Sequence, residues 1–187
     1  IYNVQELYPD TFIKVNTLRA DALITRALFW VERFVYRHAN VLTVICEAFR
    51  QAILVKGTPA TKIRLIPNFV DTSSIQPGPK SNALAETLGL AERYVVLYAG
   101  NIGMTQSFDT LLEAAQCLQD IPDIRFLIVG DGVRRQYVAE QIKQRALANV
   151  MLLPYQPRSR VSDIYATADL GLVPLMTGTA QTTLPSK

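Results

Sequence analysis

The sequence is poor in the residues from which most catalytic centres are built. One histidine, His38, and two cysteines, Cys46 and Cys117, stand among 187 residues. A lone imidazole leaves no basis for a histidine metal cluster. It lies at the end of a helical run, where a cation complements the helix dipole, and no Ser/His/Asp constellation surrounds it. The cysteines lack metal-ligand spacing and fall in apolar stretches, which reads as reduced core thiols of a cytosolic protein. Charge is scarce as well: charged residues make up 19% and the formal net charge is +3. That balance is too mild for a nucleic-acid interface, yet it suits a phosphorylated ligand or an anionic membrane face. No apolar run is long enough to span a bilayer. Neither a GxxxxGK[ST] loop nor a GxGxxG fingerprint occurs, and there is no internal repeat or low-complexity run.

What is present is apolar and periodic. Hydrophobic residues make up 49%, ample for a packed core and contrary to disorder. The length suits one to two domains. The chain opens on Ile1 with no Met and no leader pattern. It closes on Leu184-Pro185-Ser186-Lys187 with no helix to cover a last strand, so a fragment is expected.

Strands are expected at 1–7 (weakly), 41–45, 62–66, 94–99, 124–129, 150–153 and 170–173. Helices are expected at 47–56, 83–88, 108–118, 134–145 and 160–166. Residues 11–38 carry Leu23, Ile24, Ala27, Leu28, Val31, Phe34 and Val35 at helical spacing, with Asp21 as an N-cap. Arg26, Arg33 and Arg37 lie between them. Such a basic amphipathic helix packs in its own domain or lies on an anionic membrane, and packing is the favoured reading. The polar, Pro-rich stretch 71–82 reads as a linker, and Pro67-Asn68 with Asp71 as a chain reversal. Strands alternating with helices at this spacing predict a parallel, doubly wound α/β sheet.

Two strands end in glycine turns. Gly100-Asn101-Ile102-Gly103 closes the strand at 94–99, and Gly130-Asp131-Gly132 the strand at 124–129. Each feeds a helix, so bare N–H groups gather at the carboxyl edge of the sheet, where anions bind. Asn101 and Gln106 could add neutral donors. A ligand-free strand–helix turn is the alternative at both places, and Asp131 could equally cap the following helix. Arg134 and Arg135 sit against the helix dipole, a placement easier to understand beside an anion, although a solvated pair explains it too.

Taken in order, VIC at 44–46, IPNFVD at 66–71, LYAGNIG at 97–103, LIVGDG at 127–132, ADLGLVP at 168–174 and LPSK at 184–187 resemble a group 1 (family 4) glycosyltransferase of the GT-B fold. The similarity runs through essentially the whole chain. GNIG, LPSK and Tyr8-Pro9-Asp10 resemble the branch of bacterial surface-polysaccharide, colanic-acid-type synthesis. The resemblance implies two Rossmann-like doubly wound parallel-sheet domains, both incomplete here. Residues 1–71 would be the end of the acceptor-side domain, 72–93 the crossover linker and helix, and 94–187 the truncated donor-binding domain. It further implies retaining transfer of a sugar from a nucleotide-diphosphate donor to a saccharide or lipid-linked acceptor. No metal or cofactor is implied.

By the same resemblance, Gly100, Asn101, Ile102, Gly103 and Gln106 meet the donor diphosphate, and Gly130, Asp131 and Gly132 lie beside the nucleotide. Tyr155 and Gln156 meet the base. Many members carry Arg and Lys where Asn101 and Gln106 stand, which shifts weight to backbone N–H groups and leaves Lys187 as the cation for the phosphates. The catalytic residues are expected outside these 187 residues, which alone are expected to be inactive. The expected location is cytoplasmic, against the inner face of the membrane. A sugar-nucleotide epimerase of the same fold and a non-catalytic nucleotide-sugar binding scaffold are the alternatives.

Overall fold

The structure, a computed structural model, describes residues 1–180 and 182–185. It divides into two compact units: Ile1–Phe69 together with the stretch that begins at Leu175, and Val70–Pro174.

The first unit runs β1 (Tyr2–Val4), α1 (Asp10–Lys14), α2 (Leu23–His38), β2 (Leu42–Val44), α3 (Glu47–Val55) and β3 (Ile63–Leu65). Its strands are parallel in the order β1-β2-β3, with Val4 opposite Val44 and Val44 opposite Leu65. Val4, Leu42, Val44, Phe49, Ile53 and Ile63 form its core, each no more than 4% exposed. The later stretch returns to this unit. Leu7 N–H donates to Thr182 O at 3.4 Å, and Thr11 Oγ1 to the same oxygen at 3.3 Å.

The α2 helix corrects the expected packing. Its buried positions are Thr25, Glu32 and Tyr36, whereas Leu23, Ile24, Leu28, Val31 and Phe34 are exposed. The physical reason is an ion cluster beneath it. Lys56, at the end of α3, donates to Glu32 Oε1 at 2.6 Å and to Asp10 Oδ2 at 2.5 Å. Once two carboxylates must reach one ammonium, the helix turns that polar face inward, because a buried charge without a partner costs more than exposed leucines. Burial raises the Glu32 carboxyl above its ordinary range even against the pull of Lys56. Asp21 is no cap: Ala22 holds that position, and Asp21 pairs with Arg19 at 2.8 Å.

The second unit runs α4 (Ala83–Thr87), β4 (Tyr94–Ala99), α5 (Phe108–Cys117), β5 (Ile124–Val129), α6 (Arg135–Gln144), β6 (Val150–Leu153), α7 (Val161–Thr167) and β7 (Leu170–Gly171). The strands are parallel in the order β6-β5-β4-β7. Alternate residues of β4 and β5 enter opposite layers, as the two-residue period of a strand requires. Tyr98 and Ile128 pack with Phe108, Leu112 and Val138 of α5 and α6. Leu97 and Leu127 pack on the other face with Leu84 and Ala85 of α4 and Ile164 of α7. Helices thus cover both faces, which is the doubly wound α/β arrangement.

Side chains fasten the ends of this layer. Asn82 caps α4, its Oδ1 accepting from Leu84 N–H and Ala85 N–H at 3.0 Å, while its Nδ2 donates to Thr167 Oγ1 at 3.1 Å. Asp169 pairs with Lys80 and accepts Val95 N–H at 2.7 Å. In the linker, Asp71 makes the expected turn, and hydrogen bonds from Ser73 and Ser74 hold its carboxyl down at about 2. The thiols correct the expectation of two core cysteines, since Cys46 is half-buried and Cys117 exposed. On α5 the apolar positions Leu111, Leu112 and Ala115 already fill the inward face, so Cys117 falls outside it.

Candidate functional site

The strands β4 and β5 are neighbours in exact register, Ala99 opposite Val129, so their two glycine turns emerge side by side at the carboxyl edge. The turns touch. A Cβ on Gly130 would stand 1.9 Å from Gly100 O, and one on Gly132 would stand 2.5 Å from Ile102 O. With φ of +154° and +148°, both positions also demand a backbone that only glycine adopts without strain.

Hydrogen bonds weld the turns together. Ile102 N–H donates to Asp131 O at 2.7 Å, and Arg134 N–H to Ile102 O at 3.0 Å. Gly100 N–H and Gly130 N–H continue the sheet ladder, to Val129 O at 2.9 Å and Leu153 O at 3.0 Å. Gly132 N–H bonds Asp131 Oδ1 at 2.7 Å. Among the described residues, no acceptor is bonded to the N–H of Asn101, Gly103 or Asp131. Backbone donors left open at a glycine turn are what an anion takes up.

The side chains fall into two groups. Ile102, fully buried, belongs to the core and anchors the loop. Tyr98, also fully buried, donates its hydroxyl to Asn101 O from below, and desolvation pushes its phenol up. Gln106 is buried, with Nε2 on Thr105 Oγ1 at 3.2 Å and Oε1 without a partner among the described residues. Asn101 and Asp131 are exposed at the rim. The Asn101 carboxamide folds over the turn, its Nδ2 2.9 Å from where a Cβ of Gly103 would be. Asp131 makes no cap for α6, whose N-cap position is Arg134 with no side-chain bond.

Arg134 finds a partner for its charge within the protein. It meets Asp109 Oδ2 at 3.3 Å, lies 4.5 Å from the centre of the Tyr137 ring and reaches Gln106 O at 3.4 Å. Tyr137 also donates to Asp109, and this bond first, with Arg134 second, lowers the Asp109 carboxyl against its desolvation. Asp109 and Tyr137 carried no sequence signal, being 28 residues apart and unremarkable in their own helices.

Tyr155 and Gln156 follow β6, whose Leu153 pairs with Val129, so they emerge at the same edge. Tyr155 is exposed. Gln156 Nε2 folds back onto Pro154 O at 3.1 Å. Lys187 lies outside the described residues. Among the described residues, no group of three His, Cys, Asp or Glu is placed to hold a metal ion.

Comparison with known proteins accords with this geometry. The family model "Glycosyl transferases group 1" matches residues 82–180, and "Glycosyl transferase 4-like domain" matches residues 4–68. The putative colanic acid biosynthesis glycosyl transferase WcaI of Escherichia coli K12 is 32% identical over 151 residues, covering 79% of this chain and 37% of that protein. The alpha-galactosylglucosyldiacylglycerol synthase of Streptococcus pneumoniae is 27% identical over 158 residues, covering 77% and 41%. Among solved structures, Anabaena HepE in complex with UDP and glucose superposes with a TM-score of 0.69 at 21% identity, covering 91% of this chain and 44% of that one. The fold is therefore that of GT-B glycosyltransferases, and the chain spans about two fifths of the length of these curated relatives.

Proposed function

Since this chain belongs to the group 1 glycosyl transferases, we propose that the protein moves a sugar from a nucleotide-diphosphate sugar to an acceptor hydroxyl, with retention of anomeric configuration, in bacterial surface-polysaccharide synthesis. The observation that carries the reading is the welded pair of glycine turns at the ends of β4 and β5, with the N–H groups of Asn101, Gly103 and Asp131 left without acceptors. The name of the E. coli relative and the UDP-glucose complex of the Anabaena protein lend it support.

The chemistry follows from charge. When the bond from the sugar to the diphosphate breaks, negative charge grows on the leaving phosphate, and preoriented donors stabilise it without reorganising. Asn101 and Gln106 are neutral and Arg134 is engaged by Asp109, so in this reading backbone N–H groups supply most of that stabilisation. Lys187 adds a cation, while Tyr155 and Gln156 meet the base. Ile102, Gly130 and the buried Gln106 hold the shape of the turn instead of touching the donor. The acceptor is a saccharide or a lipid-linked saccharide, met in the cytoplasm at the inner face of the membrane, which the first unit contacts.

The test is a melting-temperature survey of the full-length protein with nucleoside diphosphates and their sugars, because a ligand bound only by the folded form raises the melting point. One base class is expected to raise it, and no response to any of them would overturn the donor assignment. The chain spans about two fifths of the length of its curated relatives, and the 187 residues alone are expected to transfer no sugar. Measurable transfer by them would refute that part.

A further inference from the structure

We propose that a cleft of the first unit, between α2 and the turn that follows α3, seats the phosphate headgroup of an anionic membrane lipid. It deepens the reading that this unit meets the membrane, and it is independent of the donor site. The cleft encloses about 630 Å³. Four cations line it (Arg33, Arg37, Lys56 and Lys62) and no carboxylate does.

These cations differ in how far they are engaged. Lys56 is held by Glu32 and Asp10. Lys62 Nζ donates to Arg37 O at 2.7 Å and keeps further protons. Arg33 and Arg37 are exposed, and neither guanidinium is bonded to a described residue. His38 bonds Phe34 O through Nδ1 at 2.8 Å, leaving Nε2 open. Two unpaired guanidiniums beside an ammonium form a fork suited to phosphate oxygens.

The surroundings identify the source of that phosphate as a lipid. Trp30 and Phe34 stack with ring centres 5.7 Å apart, and the Phe34 and His38 rings meet tilted at 4.1 Å, along the cleft wall. Trp30 is 67% exposed, and Leu23 and Ile24, about two turns earlier, are 80% and 60% exposed. A free phosphate has no use for such a surface, whereas the headgroup boundary of a bilayer takes aromatic and aliphatic side chains beside a row of basic ones. Arg26, Arg33 and Arg37 supply that row on one 16-residue helix. No helix among the described residues is long and apolar enough to cross a membrane.

The experiment is co-sedimentation of the full-length protein with vesicles of phosphatidylcholine alone or mixed with phosphatidylglycerol. Binding to the mixed vesicles only is expected, weakened by salt. Arg33→Gln with Arg37→Gln should lower partitioning roughly 30-fold, as the loss of two basic residues near an anionic surface implies. Trp30→Ser with Phe34→Ser should lower it about tenfold. All four sites are exposed, and unchanged circular dichroism confirms folding. If the protein binds neither vesicle, the membrane contact itself falls. If mixed vesicles bind the arginine variant as tightly as the unchanged protein, the contact stands and the headgroup cleft is refuted. Displacement by inorganic phosphate beyond that by chloride of equal ionic strength would make the ligand a free phosphate and overturn the lipid assignment.

Discussion

Gly130 lies so close to Gly100 that a methyl group on its α-carbon would stand 1.9 Å from the Gly100 carbonyl oxygen. That contact is how two turns on neighbouring strands are held together at one edge. Gly130→Ala must therefore both push the loops apart and leave the backbone strained at φ +154°. A loss of about 3 kcal/mol or more is expected. Gly171→Ala, with nothing within 4 Å of the added carbon, should stay within about 0.5 kcal/mol. Urea unfolding of the two variants side by side checks the contrast.

Asn82 works in two directions, capping α4 through its oxygen and tying α7 through its nitrogen. Asn82→Ala should cost about 1–2 kcal/mol. Asn82→Asp keeps the cap and loses the donor to Thr167, so it should retain part of that stability. Equal losses in the two unfolding curves would mean that the cap oxygen contributes nothing.

Lys56 neutralises two carboxylates, one of them on a side chain only 6% exposed. Lys56→Met strands Glu32 as an unpaired buried charge and should destabilise the first unit by about 3 kcal/mol. Glu32→Gln should cost much less, because Lys56 retains Asp10. The order of the two thermal midpoints is the measurement, and a reversed order would contradict the inward-facing polar side of α2.

Asp109 gives a pH signature. Its folded carboxyl is lowered by Tyr137 and Arg134, so its contribution to stability is present above the unfolded value near 3.9 and is lost as the pH falls through the lower folded value. The melting-point gap between the protein and its Asp109→Asn variant should be full at neutral pH and close below about pH 4. A gap that stays constant with pH would refute the pairing.

The sheet of the second unit was legible from sequence, and the face of α2 was not. The expected bounds of β4, β5 and β6 match residue for residue, because each is a largely apolar run that ends at Gly100, Gly130 or Pro154. The expected β7 shortens to Leu170–Gly171, since only Val96 and Leu97 pair with it. The orientation of α2 depends on Lys56 and Asp10, which lie 24 and 22 residues from Glu32, and no local period encodes such a pairing. Likewise the glycine turns could be read as phosphate-binding, but not which of their N–H groups the two loops use on each other. That division rests on the register of Ala99 with Val129.

Hydrogen exchange of the full-length protein, with and without a saturating nucleoside diphosphate, tests the diphosphate site most directly. Slowed exchange should concentrate at Asn101, Gly103 and Asp131, whose amides have no acceptor among the described residues. Binding that leaves both turns unprotected, or protects only a distant surface, would contradict it.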